Sequence, residues 1–259
     1  VPSIMTMDSV IKPEQTPSNS YRVQMLYRNE HFVLVNKPAG MNFHSEEEAG
    51  LAVVVKQQLQ AETSLGEIEL YPVHRLDKMT SGLVLFALTK EAAQTFQTLF
   101  ENREMDKFYL AIATDKPKKK QGWIKGDMHP ARRGSWKLTS TQDNPAVTRF
   151  ISQSIGPNQR LFLVKPLTGK THQIRVALKS LGAPIAGDER YQNLQQAQQE
   201  DRGYLHAFAI RFTLFGESYA FSVFPQQGQR FLTEACVEQI RQWREAWKVF
   251  EAKVVRKQV

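Results

Sequence analysis

Residues 71–82 read Tyr71-Pro72-Val73-His74-Arg75-Leu76-Asp77-Lys78-Met79-Thr80-Ser81-Gly82. They gather an imidazole, a guanidinium, an ammonium, a carboxylate and three hydroxyls in one short stretch. A cation held close to a carboxylate favours its ionised form. Taken alone, Asp77 also fits the ordinary work of an aspartate in a turn. A second stretch, Leu167-Thr168-Gly169-Lys170-Thr171, ends in Gly-Lys-Thr ahead of a helix and invites a nucleotide-phosphate reading. A phosphate loop of that type needs a further glycine where Val164 stands, so no nucleotide cofactor is expected. The histidines His31, His44, His129, His172 and His206 join His74 and Asp77 without the clustered spacing of a metal site, and no metal is expected. The single cysteine, Cys236, can form neither an internal disulfide nor a cysteine-based zinc site, which points to a reducing compartment.

The elements that must position these groups follow from hydrophobic periodicity. Residues 23–27 and 32–36 are β-prone runs around the polar Arg28-Asn29-Glu30, a predicted hairpin that Lys37-Pro38-Ala39-Gly40 then interrupts. Residues 51–59 predict a short helix, and residues 82–88 a buried strand directly after Asp77. Residues 90–101 place Ala92, Phe96, Leu99 and Phe100 on one helical face. Residues 107–113, 146–152, 161–165 and 220–224 read as strands. Residues 171–181 set Ile174, Leu178 and Leu181 on one face, with Gly182 placed to end the helix. Cys236, Ile240, Trp243, Trp247 and Phe250 form a last stripe, expected to pack a terminal helix on the core. Strands outnumber helices without regular alternation. The fold class is therefore α+β, a mixed, largely antiparallel sheet flanked by helices.

With 259 residues, 41% hydrophobic and 23% charged, the chain can bury a sizeable core, which excludes collagen-like and disordered classes. Residues 1–20, polar and holding Pro2, Pro13 and Pro17, read as a flexible arm, and residues 21–259 as a single domain without internal repeats. Residues 82–88 fall far short of the ~18 apolar residues of a spanning helix, and residues 1–20 lack the order of a signal peptide. A cytoplasmic protein with no membrane contact is expected. Lys and Arg number 34 against 26 Asp and Glu, a net charge of +8 that suggests a polyanionic partner. The excess concentrates in residues 115–137, read as a basic insertion. It is either a solvated face or a nucleic-acid contact made by Lys118, Lys119, Lys120, Arg132 and Arg133, with Trp123 and Trp136 nearby.

Four segments, in order, resemble the RluA-type pseudouridine synthases. They are Val35-Asn36-Lys37-Pro38-Ala39-Gly40, the His74-Arg75-Leu76-Asp77 loop through Gly82, Lys107-Phe108-Tyr109-Leu110-Ala111, and Thr168-Gly169-Lys170-Thr171-His172-Gln173-Ile174-Arg175. Pro184-Ile185-Ala186-Gly187-Asp188 follows the last, and Leu205-His206-Ala207 is a weaker echo further on. Lys78-Met79, Lys170 and Ala177 depart from the family's usual residues. Too few residues precede the core for the S4 RNA-binding domain that many relatives carry. The resemblance implies the pseudouridine synthase fold and a cofactor-free isomerisation: C1′–N1 of a uridine breaks, the base turns, and C1′–C5 forms. It makes Asp77 the catalytic aspartate and Arg175 its partner, a pairing that favours the ionised acid. Tyr109 would lie against the base, and Arg75 would enter the gap left when the uridine leaves its stack. His74 and Thr80 would shape the loop around the substrate. The implied partner is structured RNA, either rRNA or tRNA, and a monomer is expected. A non-catalytic RNA-binding or ribosome-assembly protein with the same fold is the alternative, against which the intact Asp77, Tyr109 and Arg175 speak.

Overall fold

The computed structural model describes residues 3–7, 22–44, 50–64 and 66–251. Of the expected N-terminal arm, Ser3–Met7 is a strand, β1; residues 8–21 lie outside the described part. The predicted hairpin forms as β2 (Gln24–Arg28) and β3 (Phe32–Lys37). Asn29 closes it by accepting the His31 and Phe32 N–H groups at 2.8 and 3.0 Å, the local bonding that suits asparagine to turns. Next come α1 (Leu51–Glu62), β4 (Tyr71–Pro72), β5 (Ser81–Ala87) and α2 (Lys90–Glu101). α2 starts where Thr89 Oγ1 accepts the Ala92 N–H at 3.1 Å, a side-chain N-cap. Its buried Phe96 meets Phe32 and Phe212 edge-on.

The middle of the chain supplies β6 (Asp106–Ala113), β7 (Gly122–Gly126), β8 (Met128–Pro130), β9 (Trp136–Leu138), β10 (Ala146–Gly156) and β11 (Gln159–Pro166). After these come α3 (Gln173–Ser180), α4 (Leu194–Ala197), β12 (Leu205–Leu214), β13 (Glu217–Val223), α5 (Glu234–Gln242) and α6 (Ala246–Glu251). Eleven strands form one sheet, whose main path runs β2-β3-β5-β12-β6-β11-β10-β7. All pairings are antiparallel except β5–β12 and β1–β13, so the sheet is mixed and largely antiparallel. β8 and β9 form a separate hairpin.

The sheet forks at β12. His206 and Ala207 pair in parallel with Ser81 and Gly82 of β5, and after an irregularity at residues 207–209 the strand continues against β13. Gly82 makes the crossing possible: its φ is +111°, and a Cβ there would lie 2.2 Å from the Ala207 carbonyl oxygen. Asp77 sits just before that crossing. One apolar cluster packs β6, β10, β11, α3, α5 and α6, and a second packs β3, β5, α1 and α2; Tyr109 touches both.

Two further expectations change. Residues 115–137 are not an insertion outside the fold, because Gly122–Gly126 is the edge strand paired with β10, and only the β8–β9 hairpin stands apart. The last apolar stripe spans two short helices rather than one, and all five of its residues are buried as core. Among the described residues no helix is long and apolar enough to cross a membrane.

Candidate active site

The Asp77 loop connects β4 to β5 and is clamped from β3. Lys37 is fully buried, and its ammonium donates to the carbonyls of Pro38, Lys78 and Thr80 at 3.0, 3.1 and 2.7 Å. The Gly40 N–H also donates to Lys78 O at 2.8 Å, and Thr80 N–H turns back to Asp77 O at 3.0 Å. Burial, then the Arg202 charge, pulls the Lys37 pKa down to about 7, with Asp77 opposing. On the loop's other side His74 Nε2 accepts the Leu85 N–H at 2.8 Å. Burial and the Lys107 charge push this imidazole down to about 3, so it remains the neutral acceptor the bond requires.

The opposite wall is the start of α3. In the Thr168–Gln173 segment the Thr168 hydroxyl, the Lys170 N–H and the Gln173 amide are bonded within the protein itself. Gln173 Oε1 accepts from Thr168 Oγ1 at 2.6 Å and from Lys170 N–H at 3.1 Å, while its amide donates to Val147 O and Thr148 Oγ1. This bonding ties the segment to β10 and holds Arg175 in place. Arg175 Nη1 donates to Asp77 Oδ2 at 2.9 Å, and its Nε and Nη2 form a fork on Asp188, both at 2.8 Å. Asp188 is fully buried, whereas the Asp77 side chain is 34% exposed. Burial works against the guanidinium, but the bonds and charges of Asp188 and then Asp77 outweigh it and raise its pKa. The arginine is a permanent cation shared by two carboxylates.

Tyr109 lies in β6 between Val164 and Ala207. Burial, then the Asp77 charge, pushes its phenol up to about 12, so the hydroxyl keeps its proton at neutral pH. Two cavities meet at this site. The smaller, about 480 Å³, includes Leu76, Thr80, Lys107 and Tyr109 in its lining. The larger, about 1110 Å³, includes Lys78, Arg132, Arg133, Arg190 and Arg202. Arg75, Asp77, His172 and Arg175 line both and form their common wall.

The structure thus brings together Arg75, Asp77, Thr80, Tyr109 and Arg175, and sets Arg132 and Arg133 on the adjoining groove. It does not bring in His74, whose ring holds β5 and lines neither cavity. Lys118, Lys119 and Lys120 line neither as well. Lys118 N–H is bonded to Leu181 O beyond the far end of α3, and Lys119 Nζ to Trp123 O. Sequence reasoning missed Asp188, His172, Tyr191 and Arg202 as site-forming residues. Only His172 and Asp188 carried a signal, as members of motif segments. Among the described residues no three His, Cys, Asp or Glu side chains are grouped to hold a metal ion.

Comparison with known proteins identifies the family. The family model described as RNA pseudouridylate synthase matches residues 31–180. An uncharacterized RNA pseudouridine synthase of Haemophilus influenzae is 46% identical over 220 residues, covering 85% of this chain and 95% of the relative. The dual-specificity RNA pseudouridine synthase RluA of Escherichia coli is 30% identical, covering 76% of this chain and 90% of its own length. Human RNA pseudouridylate synthase domain containing 1 shares the fold, with a TM-score of 0.69 at 24% identity over 90% of this chain and 98% of its own. The chain belongs to the RluA-type family of RNA pseudouridine synthases, enzymes that isomerise uridine to pseudouridine in RNA.

Proposed function

We propose that this chain isomerises uridines in structured RNA, rRNA or tRNA, with Asp77 as the catalytic carboxylate. The carrying observation is that Asp77 stands in the common wall of two cavities, 2.9 Å from an arginine itself forked onto buried Asp188. The smaller cavity falls in the size range of small-ligand pockets, roughly 300–1000 Å³, and suits one flipped nucleotide. The larger groove suits the strand from which it flips. Asp77 faces the sugar, and Arg175 keeps the carboxylate in position and supplies positive charge beside it. When C1′–N1 breaks, the bonding pair leaves with the base. The base turns, its C5 bonds to C1′, C5 loses its proton and N1 gains one. Atoms and electrons balance without an outside reactant, so the chemistry asks for no metal or nucleotide.

Tyr109 offers its ring as a surface for the detached base, Thr80 lines the same pocket, and Arg75 fills the place the uridine vacates. Arg75 is exposed and has no ion-pair partner among the described residues, which leaves it available for RNA. Arg132 and Arg133 bind phosphates along the groove. The working protein is a cytoplasmic monomer. Asp77→Asn tests the assignment. Pseudouridine formation should be lost while RNA affinity stays within about threefold, because phosphate contacts supply most of it. Substantial turnover by a preparation free of wild-type enzyme would reject Asp77 as the catalytic group. Pseudouridine maps of total rRNA and tRNA, with and without the gene, identify the RNA class.

A further inference from the structure

Around the start of α3, matching donors to acceptors leaves one group over. His172, the residue before α3, has a φ of +55°, a left-handed conformation that is unfavourable for a residue with a Cβ. This places the imidazole in the wall common to both cavities, beside Asp77 and Arg175. Its Nδ1 lies 2.8 Å from the Tyr191 hydroxyl. That oxygen accepts the Trp136 N–H from β9 at 3.0 Å. Tyr191 is buried, and the hydroxyl proton has no other acceptor among the described residues. All groups are satisfied only if Tyr191 O–H donates to His172 Nδ1. Burial, then the Arg175 charge, lowers the imidazole pKa, so the ring is neutral and its one proton sits on Nε2. The Nε2–H has no partner among the described residues.

We infer that His172 is a substrate-contacting residue whose Nε2–H donates a hydrogen bond to a carbonyl oxygen of the target uracil, with Tyr191 as the positioning residue that fixes its tautomer. This rests on the isomerase reading above. The ligand chemistry follows from the wall. Arg175 is already committed to Asp77 and Asp188 and the phosphates fall to Arg132 and Arg133 on the groove, whereas a neutral N–H matches a carbonyl. When C1′–N1 breaks, the pair that leaves with uracil spreads over N1, O2 and O4, so an oxygen already held by an N–H becomes a stronger acceptor as the bond opens. A preplaced donor of this kind acts on the transition state more than on binding. Tyr191 has a second link to the site, since its ring lies under the Arg175 guanidinium at 5.2 Å.

The test begins with transcripts carrying a site that the wild-type enzyme modifies, made with uridine, 2-thiouridine or 4-thiouridine at the target. In single turnover, His172→Phe should lower the rate about 100-fold with RNA affinity nearly unchanged, the usual effect of losing one such donor. His172→Gln, which keeps an N–H donor, should recover at least about tenfold of that loss. Sulfur is a poor acceptor, so thio-substitution at the contacted oxygen should slow the wild type more than His172→Phe. Nitrogen NMR of the unmodified protein should show the Nε2-protonated tautomer, and Tyr191→Phe should mix the tautomers, a change that loss of packing alone would not give. A dominant Nδ1-protonated tautomer in the wild type overturns the inference whether or not the variants fold. Wild-type turnover with an unimpaired, folded His172→Phe overturns the His172 role and leaves the isomerase reading standing. No wild-type turnover on any rRNA or tRNA overturns both.

Discussion

Arg175 and Lys37 show what burial does to a single charge. Arg175→Met leaves the fully buried Asp188 without its counter-ion, a change that typically costs ~3–5 kcal/mol. Urea denaturation should reveal that loss, and single-turnover rate should fall much further than RNA affinity. Equal losses in rate and binding would mark Arg175 as a phosphate contact instead. Lys37 predicts a pH effect. Its pKa of about 7 lies below the ordinary 10.5. Between these values the unfolded chain holds a proton that the folded chain has released, so stability rises with pH through the window, and the burial penalty is fully felt below it. The stability of Lys37→Met minus that of wild type should therefore be greatest at about pH 6.5 and fall by about pH 9, measured by urea denaturation. A difference that does not change with pH would place the Lys37 pKa outside that window. At this scale the motif residues Asp77, Tyr109 and Arg175 were legible because their types and order survive in the sequence. His172 stands in the same kind of segment but drew no role, since an imidazole's task shows only when its hydrogen-bond partners are known. Asp188 is far from Asp77 in the chain, and nothing in its neighbours says that it takes the other side of the same guanidinium.

At the scale of elements, position in the fold decides which basic residues can act together. Residues 115–137 carry one run of positive charge, but the fold divides it. Lys118, Lys119 and Lys120 precede the edge strand β7, whereas Arg132 and Arg133 sit at the tip of the β8–β9 hairpin and line the groove. The hairpin is held against the Asp188 segment: Arg190 Nη1 donates to Arg133 O, and Tyr191 accepts from Trp136. Replacing Arg132 and Arg133 by Gln should weaken RNA binding and reduce the salt slope by ~0.7–0.9 for each phosphate that is no longer neutralised. The Lys118, Lys119 and Lys120 triple Gln variant should do less on both measures. The reverse order would move the RNA to the β7 edge, where half-exposed Trp123 lies between Lys125 and Arg149. Periodicity located α2 to the residue because it has a cap, a strong apolar face and a clear stop. β12 was nearly invisible: buried along most of its length, it shows no alternation, and only its first three residues, Leu205, His206 and Ala207, drew notice.

For the whole molecule, the question is whether two apolar clusters make one folding unit. They are joined by continuous sheet, with β5 buried throughout and crossing β12 where Gly82 allows contact, and Tyr109 packs on both. We expect a single domain, because separating the clusters would break that crossing and expose the strands on either side. The tryptophans provide a test. Trp123, Trp136, Trp243 and Trp247 all fall in the half that holds α5 and α6. Phe96 sits in the other half, fully buried in α2 against Phe32 and Phe212. Phe96→Ala removes a packed ring and should cost ~3–5 kcal/mol. If the sheet makes one cooperative unit, that loss reaches every tryptophan. The urea midpoint read by tryptophan fluorescence should then fall by as much as the midpoint read by circular dichroism. A fluorescence transition that stays at its wild-type midpoint while circular dichroism shows an earlier step would mean two domains, with the Asp77 loop at their boundary.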